Sequence, residues 1–101
     1  MKTMENKINK DISNIFRMKD IANIYHLTEQ KEKAEKYHKT IIKICEKYPS
    51  NENMLLLKIS SQNYLKTSYK SLETTKRLLK LNPYNIYALF NIAKYLNKFP
   101  T

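Results

Sequence analysis

Glycine, valine and tryptophan are absent from this chain of 101 residues, which has only three prolines and one cysteine. Without glycine, a glycine-rich phosphate-binding loop cannot form. The lone Cys45 excludes an internal disulfide, and its place on an apolar helical stripe indicates a buried small side chain in a reducing compartment. Apolar runs such as residues 54–57 are far too short for a membrane span or a signal-peptide core. These absences predict a cytoplasmic protein with no membrane span.

Acidic residues are also scarce, with nine Asp and Glu against 19 Lys and Arg and a formal net charge of +10. Codon bias explains part of this excess, because the abundant Lys, Asn, Ile and Tyr all have A/T-rich codons. Only Arg17 and Arg77 are arginines, the residue that favours bidentate contact with phosphate. Residues 53–101 nevertheless hold eight basic residues against Glu73 alone. An RNA partner therefore stays open, with phosphate contacts expected from Lys66, Lys70, Lys76, Arg77 and Lys80.

The sequence lacks the residue sets that carry catalysis or bind metals. His26 and His38 lie on different predicted helices, and no acid–histidine–nucleophile set or Cys/His metal spacing is present. Glu29, Glu32 and Glu35 share one helix but alternate with lysines, as on a solvated face. We therefore expect no enzymatic activity, no cofactor and no metal.

Helical spacing of apolar residues runs almost from end to end, and no stretch alternates as a strand would. Helices are predicted at about residues 5–27, 29–48 and 52–65, from a cap at Thr67 or Ser68 to residue 81, and at residues 86–98. The predicted N-caps are Thr28, Asn51, Thr67 or Ser68, and Asn85. The second helix is expected to end at Tyr48, because a residue before proline avoids the helical region. The fold class is all-α.

Two prolines, Pro49 and Pro83, lie 34 residues apart, and each is followed two residues later by an asparagine. Residues 81–93, Leu-Asn-Pro-Tyr-Asn-Ile-Tyr-Ala-Leu-Phe-Asn-Ile-Ala, closely resemble the junction between tetratricopeptide repeats, whose period is about 34 residues. A weaker resemblance, on Pro83-Tyr84-Asn85, is to the second subunit of the ER membrane protein complex. It leaves open docking to a membrane-bound complex.

The tetratricopeptide resemblance implies a short α-solenoid of about two helix–turn–helix repeats plus a terminal capping helix. All of residues 1–101 would form one domain, divided into an N-terminal extension (1–17), a degenerate repeat (18–51), a repeat (52–85) and a terminal helix (86–99). The first repeat is degenerate because Tyr25 and Tyr37 stand where the family has small residues. The core of residues 52–98 is expected to contain Leu55, Ile59, Leu72, Leu78, Leu89 and Ala93.

The same resemblance implies that the first helix of each repeat lines a concave groove for a protein or peptide. The last helix is apolar around too much of its circumference for one buried face, which predicts a second contact surface. We therefore expect a non-catalytic interaction scaffold or adaptor subunit, with a ribonucleoprotein component as the alternative. The other interpretation of the groove is a polar face that contacts only solvent. The expected partner-binding residues are Lys19, Asn23, Asn53, Ser60, Asn63, Tyr64, Tyr87, Phe90, Asn91, Lys94, Tyr95 and Lys98.

Overall fold

The computed structural model describes residues 2–98, of which residues 6–97 include the side chains. Within this range it contains five α-helices and no strand, which confirms the all-α prediction. The helices are α1 (Lys2–Leu27), α2 (Lys31–Cys45), α3 (Glu52–Tyr64), α4 (Ser68–Leu81) and α5 (Ile86–Lys98).

Two asparagines start α3 and α5 in the same way, as predicted. The backbone N–H of Met54 donates to Asn51 Oδ1 at 3.0 Å, and that of Ala88 donates to Asn85 Oδ1 at 2.9 Å. Each bond satisfies an N–H group that has no partner inside its own helix. The two caps are 34 residues apart, so α3 and α5 begin at equivalent positions.

The turn between α1 and α2 differs from the prediction, because Thr28 is not an N-cap. Its hydroxyl donates to the carbonyl groups of Ile24 (3.0 Å) and Tyr25 (3.2 Å), so Thr28 closes the end of α1 instead. Glu29 follows in the left-handed region with φ of 61°, which delays the start of α2 to Lys31.

The turn between α3 and α4 is built similarly. Lys66 has φ of 60°, and the Thr67 hydroxyl donates to the Gln62 carbonyl at 2.9 Å. Thr67 lies directly before α4, as predicted. Its side chain makes no hydrogen bond to the first turn of α4, because its hydroxyl bonds to the preceding helix.

The predicted end of α2 was wrong by three residues. The helix ends at Cys45, and the chain turns before Pro49. Tyr48 is instead tied to α1, where its hydroxyl donates to the carboxylate of Asp11.

The second proline turn, between α4 and α5, is likewise hydrogen-bonded to an acidic residue of an earlier helix. Glu52 Oε1 accepts hydrogen bonds from Asn82 Nδ2 at 2.8 Å and from Asn85 Nδ2 at 2.7 Å. Both bonds lower the pKa of the Glu52 carboxyl, and the bond from Asn82 has the larger effect. The first turn of α3 thereby fixes where α5 starts.

The core consists of two clusters, and α3 belongs to both. One cluster joins α1, α2 and α3 through Ile15, Ile41, Cys45, Met54 and Leu57. The other joins α3, α4 and α5 through Leu55, Ile59, Leu78 and Ala88. Alternate faces of α3 therefore hold the two ends of the molecule together.

The expected core of residues 52–98 was right for three members and wrong for two. Leu55, Ile59 and Leu78 are buried, and Leu72 is half-buried. Leu89 is 45% exposed, and Ala93 is also exposed. The reason is that α5 meets α4 through the face that carries Ala88, which is fully buried.

The extensive helix–helix contacts join consecutive helices, α1 to α2, α2 to α3, α3 to α4 and α4 to α5. The molecule measures 43 × 40 × 17 Å. Its thin dimension fits two layers of helices, because packed helix axes lie about 8–10 Å apart. A flat arrangement of this kind leaves long surfaces open on both broad sides.

Candidate binding surfaces

A groove of about 920 Å³ lies between α1, α2 and α3. We call it the polar groove. It brings together five of the predicted partner-binding residues, which are Lys19, Asn23, Ser60, Asn63 and Tyr64. Amide, hydroxyl and lysine side chains in an open groove can hydrogen-bond an extended peptide and attract its acidic groups.

Three packed aromatic rings, those of Tyr64, His38 and His26, line the polar groove. The Tyr64 ring stacks on His38 with centroids 4.0 Å apart, and His26 packs edge-on against it at 5.4 Å. The Tyr64 hydroxyl lies 3.0 Å from His26 Nδ1, and His38 Nδ1 lies 3.0 Å from Ser61 Oγ. Tyr64 is thus fixed by both histidines and presents a rigid surface to the groove.

The buried His38 is held in its neutral form. Burial lowers the pKa of its imidazole below the ordinary value, with smaller contributions from the charges of Lys19 and His26. At neutral pH the groove therefore takes its positive charge from lysines rather than from His38.

A smaller pocket of about 220 Å³ adjoins the polar groove and shares Asn63 and Lys66 with it. We call it the amide pocket. It contains three more of the predicted partner-binding residues, Asn91, Lys94 and Tyr95. Eight of the twelve predicted residues therefore line one continuous region that runs from α1 across α3 to α5.

Asn91 has a structural role that the sequence did not reveal. Its Nδ2 group donates to Ser71 Oγ (3.1 Å) and Thr75 Oγ1 (2.7 Å), and its Oδ1 accepts from Asn63 Nδ2 (2.9 Å). Both amide hydrogens are used, so Asn91 joins α3, α4 and α5 and has only acceptor capacity left for a ligand.

Four predicted residues lie outside these two pockets. Asn53 is exposed in the first turn of α3. Tyr87 and Phe90 are 73% and 65% exposed on α5. Lys98 is the last residue of α5, but its side chain lies outside the described residues.

The outward side of α5 carries an uninterrupted apolar stripe at helical spacing. We call it the α5 apolar face, and it consists of Ile86, Leu89, Phe90, Ala93 and Leu96. Ile86 is 75% exposed and Leu96 is 54% exposed. All five side chains of this face are exposed.

The five basic residues expected to contact RNA do not line one groove. Lys66 lines the polar groove and the amide pocket, whereas Lys70 and Arg77 line a separate groove between α2, α3 and α4. Lys76 and Lys80 are exposed on α4 outside all three.

Five basic side chains line that separate groove, and we call it the basic groove. Lys39, Lys43 and Lys58 line it together with Lys70 and Arg77. Three glutamates, Glu35, Glu46 and Glu73, partly balance them, and Glu46 lies 3.7 Å from the Lys58 ammonium group.

Other candidate chemistry is limited in the part of the chain that the structure describes. Burial raises the pKa of the Cys45 thiol to about 12, so little reactive thiolate forms near neutral pH. Between residues 2 and 98, the side chains that the structure describes include no group of three or more His, Cys, Asp or Glu placed to hold a metal ion. Over the same range, each helix is too short or too polar to cross a membrane.

Comparison of the chain with protein-family models, with curated proteins and with solved structures found no match.

Proposed function

We propose that this chain is a non-catalytic protein-interaction scaffold, an adaptor subunit of a larger assembly. The observation that carries this proposal is the α5 apolar face. Phe90 and its neighbours form a contiguous apolar surface on a regular helix, and surfaces of this kind usually mark binding sites. Large aromatic side chains also contribute strongly to interface energies.

A short α-solenoid of two tetratricopeptide-like repeats and a terminal helix is the architecture that we propose for it. Three features support this: the matching caps at Asn51 and Asn85, the consecutive packing of the helices, and the two-layer thickness. In such an array the polar groove and the amide pocket lie along the concave side.

The polar groove supplies a second contact in this proposal. Asn23 and Asn63 can hydrogen-bond an extended backbone, Tyr64 offers an apolar ring, and Lys19 and Lys66 attract acidic side chains. A peptide segment of the same partner, or of another subunit, would lie across α1 and α3.

Replacing Phe90 with Glu tests the scaffold function. The tagged protein and the variant are expressed in their native cells, and the co-purified proteins are compared. We expect Phe90→Glu to lose the partner and to keep its helicity by circular dichroism, because Phe90 is exposed. Phe16→Glu is the matched control, since Phe16 is 53% exposed on the distant α1. Equal partner recovery by wild type and Phe90→Glu would contradict the proposal.

A basic component of a ribonucleoprotein is the second candidate function, and the basic groove favours it. Lysine contacts to phosphate carry no sequence information, so binding to RNA would be non-specific and would fall steeply with salt. Nuclease treatment of the co-purified complex separates the two functions. Partners of a scaffold stay bound after digestion, whereas those of a ribonucleoprotein component are released.

A further inference from the structure

The α5 apolar face corresponds to the face of α3 that packs against α4. Because Asn51 and Asn85 are equivalent caps 34 residues apart, each position of α3 has a counterpart in α5. Leu55 and Ile59, which pack with Leu78 of α4, correspond to Leu89 and Ala93. On α3, the equivalent face is therefore covered by a helix, α4.

We propose that the α5 apolar face binds one amphipathic, acidic helix of a partner protein, which packs on α5 as α4 packs on α3. This proposal rests on the scaffold function above and specifies its partner.

The differences between α3 and α5 define the apolar side of that helix. Gln62 of α3 accepts a hydrogen bond from Thr74 of α4 at 2.9 Å, and its counterpart in α5 is Leu96. The partner helix therefore needs an apolar residue where α4 has Thr74. Ile59 is replaced by the smaller Ala93, so the partner supplies more volume at that point or approaches more closely.

The charge of the chain defines the other side of the partner helix. Lys94 is exposed one turn from Phe90, and residues 53–101 hold Glu73 as their one acidic residue. An acidic helix is attracted to this half of the molecule. A second copy of the chain also carries +10, so repulsion disfavours self-pairing.

A pair of peptides based on α4 tests the proposal directly. Both contain residues 67–82 with Thr74→Leu, and one also carries Lys76→Glu, Arg77→Glu and Lys80→Glu. These three side chains are exposed in α4, so the change turns a peptide of net charge +3 into one of −3 without altering its apolar face. Binding to the full chain is measured by isothermal titration calorimetry, with circular dichroism of each peptide for helicity.

We expect the acidic peptide to bind at least tenfold more tightly than the basic peptide at low salt. Phe90→Glu and Leu96→Lys should each weaken it by tenfold or more, and Phe16→Glu should leave it unchanged. Two side chains of the face are tested, so one poorly folded variant does not decide the result.

Equal affinity of the two peptides, or no effect of either α5 variant, would overturn the proposal. So would a concentration-dependent dimer in sedimentation that Phe90→Glu abolishes, because the occupant would then be a second copy. If neither peptide binds but Phe90→Glu still loses partners from cells, the helix mode fails and the scaffold function stands.

Discussion

The buried imidazole of His38 should make the free energy of unfolding depend on pH. Its pKa is lower in the folded protein than the ordinary value of about 6.5, first because of burial. Below about pH 6.5 the His38 side chain becomes protonated in the unfolded chain, whereas in the folded protein it resists protonation. The free energy of unfolding should therefore be unaffected by His38 above this pH, and should fall as the pH drops from 6.5 towards the folded pKa.

Urea unfolding between pH 8 and pH 5 measures this dependence. We expect His38→Gln to make the fall in stability near pH 6 smaller, because the titrating group is gone. The matched control is His26→Gln, which removes an exposed histidine of the same ring stack and should retain most of the pH dependence. Indistinguishable pH profiles for wild type and His38→Gln would contradict this prediction.

At the scale of the element, the side chain of the α5 cap makes one more hydrogen bond than that of the α3 cap. Asn51 and Asn85 each accept from a backbone N–H, and an N-cap of this type contributes about 0.5–2 kcal/mol. Asn85 also donates to Glu52 at 2.7 Å and is buried. Asn85→Ala should therefore destabilise the protein more than Asn51→Ala does, as measured by chemical denaturation. A larger loss for Asn51→Ala would show that the Glu52 contact contributes little.

The orientation of α5 can be tested at two alanines of this helix, one of which is buried and the other exposed. Ala88 is fully buried against α4, so Ala88→Leu should overpack the contact and cost about 1–3 kcal/mol. Ala93 is exposed, so Ala93→Leu should change the free energy of unfolding by no more than about 0.5 kcal/mol. Thermal melts of the two variants compare the two faces. Destabilisation by Ala93→Leu and not by Ala88→Leu would place the opposite face of α5 inside.

At the scale of the whole molecule, the sequence predicted what local signals determine. The five helices and the caps at Asn51 and Asn85 follow from periodicity and from residues next to the helix ends. The inward face of α5 could not be predicted, because apolar residues surround most of that helix and only packing selects the side with Ala88. The His38–Tyr64 stack depends on how α2 lies against α3, which no short-range pattern encodes.

Which of the predicted site residues lie close together also depends on how the helices pack against one another. Lys19 and Ser60 were expected in one groove because of the tetratricopeptide resemblance, and both line the polar groove. Asn91 was expected to face a ligand, yet both its amide hydrogens serve Ser71 and Thr75. The resemblance indicated which side chains share a groove, whereas hydrogen bonds across three helices decide which of them remain available on it.

The consecutive packing of the helices has a consequence for how the molecule opens. α3 is held from both sides, whereas the two end helices, α1 and α5, each take their extensive contacts from one neighbour, and the contact between α4 and α5 is the smallest of the four. Local unfolding should therefore start at α5, and its backbone amides should exchange with deuterated water faster than those of α3. A partner bound on the α5 apolar face would supply the missing neighbour, so exchange should slow first in residues 86–96. Amide exchange followed by mass spectrometry would detect that protection even before the partner is identified.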